Sequence, residues 1–115
     1  MTDFIRRLQD YGADTIGALE RLVDDEALYS DCLQLFLRDE GFTALPEAIA
    51  HRDYSAAFES AHTLKGVAGN LGLTPLFVAI CDIVEPLRRG EYGKLPALTD
   101  EVLAAREALD HALND

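Results

Sequence analysis

Apolar residues recur along this chain every three or four positions, and no stretch alternates as a strand does. Phe4, Ile5 and Leu8 make a short amphipathic helix that ends near Gly12. Asp14 is placed to cap a second short helix carrying Ile16, Leu19 and Leu22. Asp24 or Asp25 can cap the next, where Leu28, Cys32, Leu35, Phe42 and Ile49 keep a seven-residue phase. That phase runs straight through Gly41, so the pattern predicts one long helix from about 25 to 51, bent rather than broken at Gly41 and Pro46. Two helices divided near Gly41 are the alternative. Asp53 starts a further segment in which Ala57, Ala61, Leu64, Ala68 and Leu71 form a core stripe, ended by Gly72. Thr74-Pro75 reads as a cap followed by proline at the first helical position, opening a helix striped by Leu73, Phe77, Ile80, Val84 and Leu87. Pro86 is expected to distort its last turns before Gly90. Leu95, Leu98, Val102, Ala105, Leu109 and Ala112 stripe the last helix, with Pro96 near its start. Four long stripes joined by short turns predict an all-α fold: an up-down-up-down four-helix bundle, with one or two short N-terminal helices covering one end. No linker or repeat interrupts it, so residues 1–115 are expected to form a single domain.

Composition narrows the function. The 115 residues suffice for one hydrophobic core, and 49% hydrophobic content argues against disorder. No apolar run reaches the length of a membrane span, and Met1 to Arg7 lack the layout of a signal peptide. Cys32 and Cys81 lie in apolar helical contexts and are expected as buried free thiols. A cytoplasmic protein, or a piece of a larger one, fits. The formal net charge of −11 argues against nucleic acid and anionic membrane as partners, since both need a basic surface. The acidity is uneven. Between Tyr54 and Gly90, Glu59, Asp82 and Glu85 are offset by Lys65, Arg88 and Arg89, leaving that hairpin neutral and open to an acidic partner.

The neutral hairpin carries the candidate chemistry. Gly66 and Gly69 stand inside a helix, where each costs about 1 kcal/mol relative to alanine. At ~100° per residue, His62, Lys65, Gly66 and Gly69 share one face. His62 lies roughly 140° from the centre of the core stripe and should be exposed. Lys65, one turn on, can offset the charge of an added phosphoryl group. Gly66 and Gly69 remove side chains where a large partner would approach, although Gly69 equally fits close packing against a neighbouring helix. Phe58, one turn before His62, is either an apolar rim for docking or a core-edge aromatic. No Ser or Cys stands out beside a base as a nucleophile. Glu59-Ser60-Ala61-His62 is a single outward Glu-x-x-His, whereas a di-iron bundle needs two pointing inward. His51 and His111 follow Glu47 and Glu107 in exposed polar contexts, so no metal site is expected. No glycine-rich phosphate loop offers a way to bind ATP, which argues against a self-sufficient kinase.

His62-Thr63-Leu64-Lys65-Gly66, followed by Ala68, Asn70, Leu71 and Gly72, resembles the signature of histidine-containing phosphotransfer (HPt) domains. Gly12-Ala13-Asp14, Ala18 to Leu22, Leu28-Tyr29 and Leu33 to Phe36 are similar to the family's N-terminal pattern, and Leu76 and Cys81 to Glu85 to its next helix. The resemblance runs from Gly12 to Gly90, and the last helix matches by periodicity alone. Pro86, and Gly69 in place of a small residue that is often alanine, depart from the pattern. The resemblance implies a phosphorelay intermediate. Nε2 of His62 would accept a phosphoryl group from a receiver-domain aspartate or a sensor kinase and pass it to another receiver. Lys65 would stabilise phosphoryl charge, Gly66 would give steric access, and Phe58 and Gly69 would lie on the docking surface. The implied partners are response-regulator receiver domains and a sensor or hybrid histidine kinase. The chain would need no cofactor, because the Mg²⁺ and its acidic pocket would belong to the receiver. Such a protein is a phosphocarrier, not an enzyme with its own ATP site. Two other readings stay open. One is a helical module that docks and regulates a receiver or kinase without being phosphorylated. The other is the phosphoacceptor half of a sensor kinase, whose histidine is usually followed by an acidic residue; here Thr63 follows, and four stripes close within one chain.

Overall fold

Three aspartates begin helices by the same device. The side chains of Asp14, Asp25 and Asp53 accept the N–H groups of Gly17, Leu28 and Ala56 at 3.1, 3.0 and 3.2 Å, each satisfying a donor that a helix start leaves unpaired. The computed structural model describes all 115 residues. It holds seven helices: α1 (Asp3–Tyr11), α2 (Thr15–Arg21), α3 (Glu26–Leu37), α4 (Gly41–Ala50), α5 (Tyr54–Asn70), α6 (Thr74–Arg89) and α7 (Leu95–Asn114). Thr2 caps α1 through Ile5 N–H, a start the hydrophobic pattern does not mark. Gly12 and Gly90 end α1 and α6 in the left-handed conformation, at φ 109° and 73°, which glycine adopts without a Cβ penalty. Thr74 is not a cap. It is the first residue of α6, its side chain makes no capping bond, and Pro75 sits in the first turn. Pro86 leaves α6 continuous to Arg89. No helix is long and apolar enough to cross a membrane.

The single helix expected over 25 to 51 is two helices, divided at Arg38–Glu40. Gly41 explains the division. A Cβ there would stand 2.9 Å from Leu64 Cδ2, so the start of α4 lies directly on α5. Asp39 takes the Gly41 N–H at 2.8 Å, and a helix running on from α3 would not bring the chain to that contact. The break also resets the buried face. Tyr29, Leu33, Phe36 and Leu37 of α3 enter the core, while Leu28 and Leu35, from the seven-residue phase, are 41% and 65% exposed. Ile16 of α2 is likewise exposed, and Ala18 is the apolar residue of that helix that is fully buried. Cys32 and Cys81 are free thiols, half-buried rather than buried.

Packing follows the expected bundle. α5 lies between α4 and α6, α6 packs on α7, and α7 closes the ring against α4. α3 extends the first arm beyond the break, and α1 lies along α7. Ala57, Ala61, Leu64, Ala68 and Leu71, the predicted stripe of α5, are all buried. Arg106 of α7 spans the α3–α4 break: its guanidinium donates to the Leu37 carbonyl and its Cζ lies 5.3 Å from the Phe42 ring centroid.

The N-terminal segment ties down the turn between α5 and α6. Asp14 N–H donates to the Gly72 carbonyl at 2.8 Å, and Tyr29 Oη donates to the Leu71 carbonyl at 2.7 Å. Arg21 donates to the carbonyls of Asn70 and Gly69 at 2.8 and 3.3 Å. Gly72, at φ 69°, has Asp14 backbone where a side chain would begin. These bonds satisfy the carbonyls that the end of α5 leaves unpaired.

Burial pushes the phenol of Tyr29 up to about 12, with the Asp14 carboxylate adding to the shift and Arg21 opposing it. Burial does the same to Tyr11, also to about 12, against a smaller opposing effect of the Leu76 backbone. In the unfolded chain both phenols would ionise near 10. Their contribution to stability is therefore complete below pH 10 and is lost as pH rises towards 12. Chemical denaturation across that range should show a falling midpoint, and Tyr29→Phe should flatten the fall. The same variant leaves the Leu71 carbonyl unpaired and should cost about 1–3 kcal/mol at pH 7.

Candidate functional site

α5 carries His62 outward because its other side is fully committed to the core. Ala57, Ala61, Leu64 and Ala68 point inward with at most 1% exposure, and His62 and Gly66 emerge on the exposed face. His62 is exposed, as the stripe places it. Lys65 is half-buried rather than fully exposed, and it takes part in none of the molecule's ion pairs, which involve Asp3, Glu85 and Asp115. Its ammonium is thus uncommitted.

The two glycines differ in what surrounds them. A Cβ on Gly66 would meet nothing within 4 Å, so the space above it is open. A Cβ on Gly69 would meet Phe77 at 3.3 Å, so this glycine accommodates a ring from α6. His62, Lys65, Gly66, Gly69, Asn70 and Phe77 together line a depression of about 160 Å³. No carboxylate lines it, and Lys65 is its one fixed charge, which suits an anion.

Phe58 is half-buried, packed against the core, and faces His62 with ring centroids 5.7 Å apart and planes at 29°. Arg88 of α6 places its Cζ 5.7 Å from the Phe58 centroid and pairs with Glu85 at 3.0 Å. Beyond Phe58 lies a groove of about 570 Å³, floored in part by Tyr54, which stacks on Tyr92 at 3.6 Å. Sequence reasoning missed Phe77, Asn70 and Arg88 as neighbours of this face. The unusual glycine at 69 was the available sign of Phe77, because a missing side chain within a helix often marks a group packed there. Arg88 had no comparable sign. The remaining histidines bond locally. His51 Nδ1 lies 2.8 Å from the Glu47 carbonyl oxygen, and His111 pairs with Asp115.

A closed helical bundle with an unencumbered imidazole and a free ammonium on one helix face has the form of a phosphocarrier. The family model of the Hpt domain matches residues 3–115, and the chain belongs to that family. Comparison with curated proteins and with solved structures finds no match. Membership makes this a histidine phosphotransfer protein of a two-component phosphorelay, a phosphocarrier that lacks a kinase's ATP site. Domains of this family typically interact with receiver domains and hybrid kinases.

The contrast between the glycines is measurable by denaturation. Gly66→Ala should stabilise the fold by about 0.8–1 kcal/mol, since alanine gains helix propensity and meets no neighbour. Gly69→Ala should gain less or lose, because the Phe77 ring must give way.

Proposed function

We propose that residues 1–115 act as one cytoplasmic phosphocarrier domain, and that His62 is its phosphoryl acceptor. The observation that carries this reading is the setting of the imidazole: exposed, without a hydrogen bond of its own, beside an uncommitted Lys65 and the empty space over Gly66. A neutral imidazole nitrogen is a competent nucleophile at cytoplasmic pH.

Nε2 of His62 attacks the phosphorus of an aspartyl phosphate on a receiver domain. The N–P bond forms as the P–O bond to the aspartate breaks, and the electron pair of that bond returns to the carboxylate. Transfer to a second receiver runs the displacement the other way, onto that receiver's aspartate. The step depends on positioning and on stabilising phosphoryl charge. Lys65 offers its ammonium to the phosphoryl oxygens. Gly66 leaves room for the receiver's loops to reach the ring. Gly69 lines the depression that the receiver meets, and Phe58 flanks the imidazole outside it. The Mg²⁺ that assists transfer resides in the receiver's acidic pocket.

Incubation with a phosphorylated receiver should place acid-labile label on the wild type and none on His62→Gln. Label on His62→Gln at the wild-type level would show that the acceptor lies elsewhere. Lys65→Ala should slow transfer by about tenfold or more, the scale of a lost hydrogen bond to a charged group, without changing the melting temperature greatly. Gly66→Leu should block transfer while leaving the bundle folded, as judged by circular dichroism. Normal transfer by the leucine variant would mean that no partner comes close over position 66.

A further inference from the structure

The other two histidines each have a ring nitrogen beside a nearby oxygen, but neither nitrogen of His62 has such a partner. Nothing polar in the chain therefore selects the rotamer of the imidazole. An exposed side chain left to itself spreads over several staggered wells. Nucleophilic displacement needs the reacting atoms aligned at close range, so such spreading slows the reaction. One contact opposes it. The Phe58 ring lies against the imidazole, at 5.7 Å between centroids and 29° between planes.

Phe58 is itself well held. It packs against the hydrophobic core, and the Arg88 guanidinium lies over its ring, within the range of a cation–π contact. Arg88 is in turn paired with Glu85 one turn earlier on α6. A chain of contacts therefore runs from α6 through Phe58 to the imidazole on α5. We propose that Phe58 is a positioning residue for His62: its anchored ring holds the imidazole in one rotamer, so that Nε2 is presented ready for attack. This rests on His62 being the phosphoryl acceptor. The phenyl ring makes and breaks no bond, and the displacement is the one already written.

A docking contact and a positioning contact separate kinetically. Docking acts on how tightly the partner associates, whereas positioning acts on the rate once the partner is bound. The experiment compares wild type with Phe58→Leu, which keeps an apolar anchor but has no ring to stack, and Phe58→Tyr, which keeps the ring. The donor is a purified receiver domain charged with phosphoramidate, chosen as one from which the wild type takes label. Single-turnover transfer is followed over a range of receiver concentrations. Phe58→Leu should lower the saturating rate constant by about threefold to tenfold, leave the half-saturating concentration unchanged, and be rescued by Phe58→Tyr. Three-bond couplings of His62 measured by NMR, with no receiver present, should report one χ1 rotamer in the wild type and averaging in Phe58→Leu. A raised half-saturating concentration with an intact saturating rate would make Phe58 a docking contact and overturn the proposal. So would averaged couplings in the wild type. His62→Gln run alongside separates the two levels of inference. Label on that variant would sink the acceptor assignment and this role with it. An unlabelled His62→Gln together with wild-type kinetics in Phe58→Leu would sink this role alone.

Discussion

The narrow buried face of α5 is the constraint on which the rest of the structure depends. Ala57, Ala61 and Ala68 present single methyl groups to the core, so α4 and α6 can close on the helix from both sides. Leu64 is the one large residue among them, and α4 meets it with a glycine, Gly41, where a Cβ would stand 2.9 Å from the leucine and force it to shift. Larger side chains on this face would overpack the interior at a cost of about 1–3 kcal/mol each. Because the inward side is so tightly defined, α5 cannot rotate about its axis without losing it. The outward direction of His62 is a consequence of alanines on the opposite side of the same helix.

The C-terminal end of α5 is fixed by a second set of contacts. Four donors from the N-terminal segment and α3 reach the carbonyls of Gly69 to Gly72. The short helices thus do more than shield the end of the bundle. They hold the turn that leads from the helix bearing His62 to the helix bearing Arg88. Two glycines in α5 weaken it locally; they flank the buried Ala68, and the carbonyl of Gly69 is the first of the tethered turn. The face that a partner would meet is open above a backbone that is restrained on either side of it.

Much of this was legible in the sequence because α5 is a regular amphipathic helix. Its stripe and the exposure of His62 follow from periodicity, and Asp53 marks its start by residue type. The α3–α4 break stood only as the alternative reading, because apolar residues happen to keep a seven-residue phase across Gly41, although the chain there turns to meet Leu64. Leu28 and Leu35 were misplaced for the same reason: periodicity assigns a face only while the helix stays continuous. Thr74 looked like a cap by residue type, but the helix starts a residue earlier than that role requires. The neighbours of His62 divide along the same line. Lys65 and Gly66 share its helix and were found by spacing. Phe77 and Arg88 come from α6, and only tertiary packing brings them to that face.

Arg106 gives the break itself a mechanical meaning. A division between two helices ordinarily serves as a hinge, because its carbonyls are free and its dihedrals soft. Here one guanidinium takes the last carbonyl of α3 and covers an aromatic ring of α4. The side chain works as a splint, set by α7 across the joint. Any bend at Arg38–Glu40 would have to break its bonds to the Leu37 carbonyl and lift it off the Phe42 ring, so the elbow between α3 and α4 is held from the far side of the bundle.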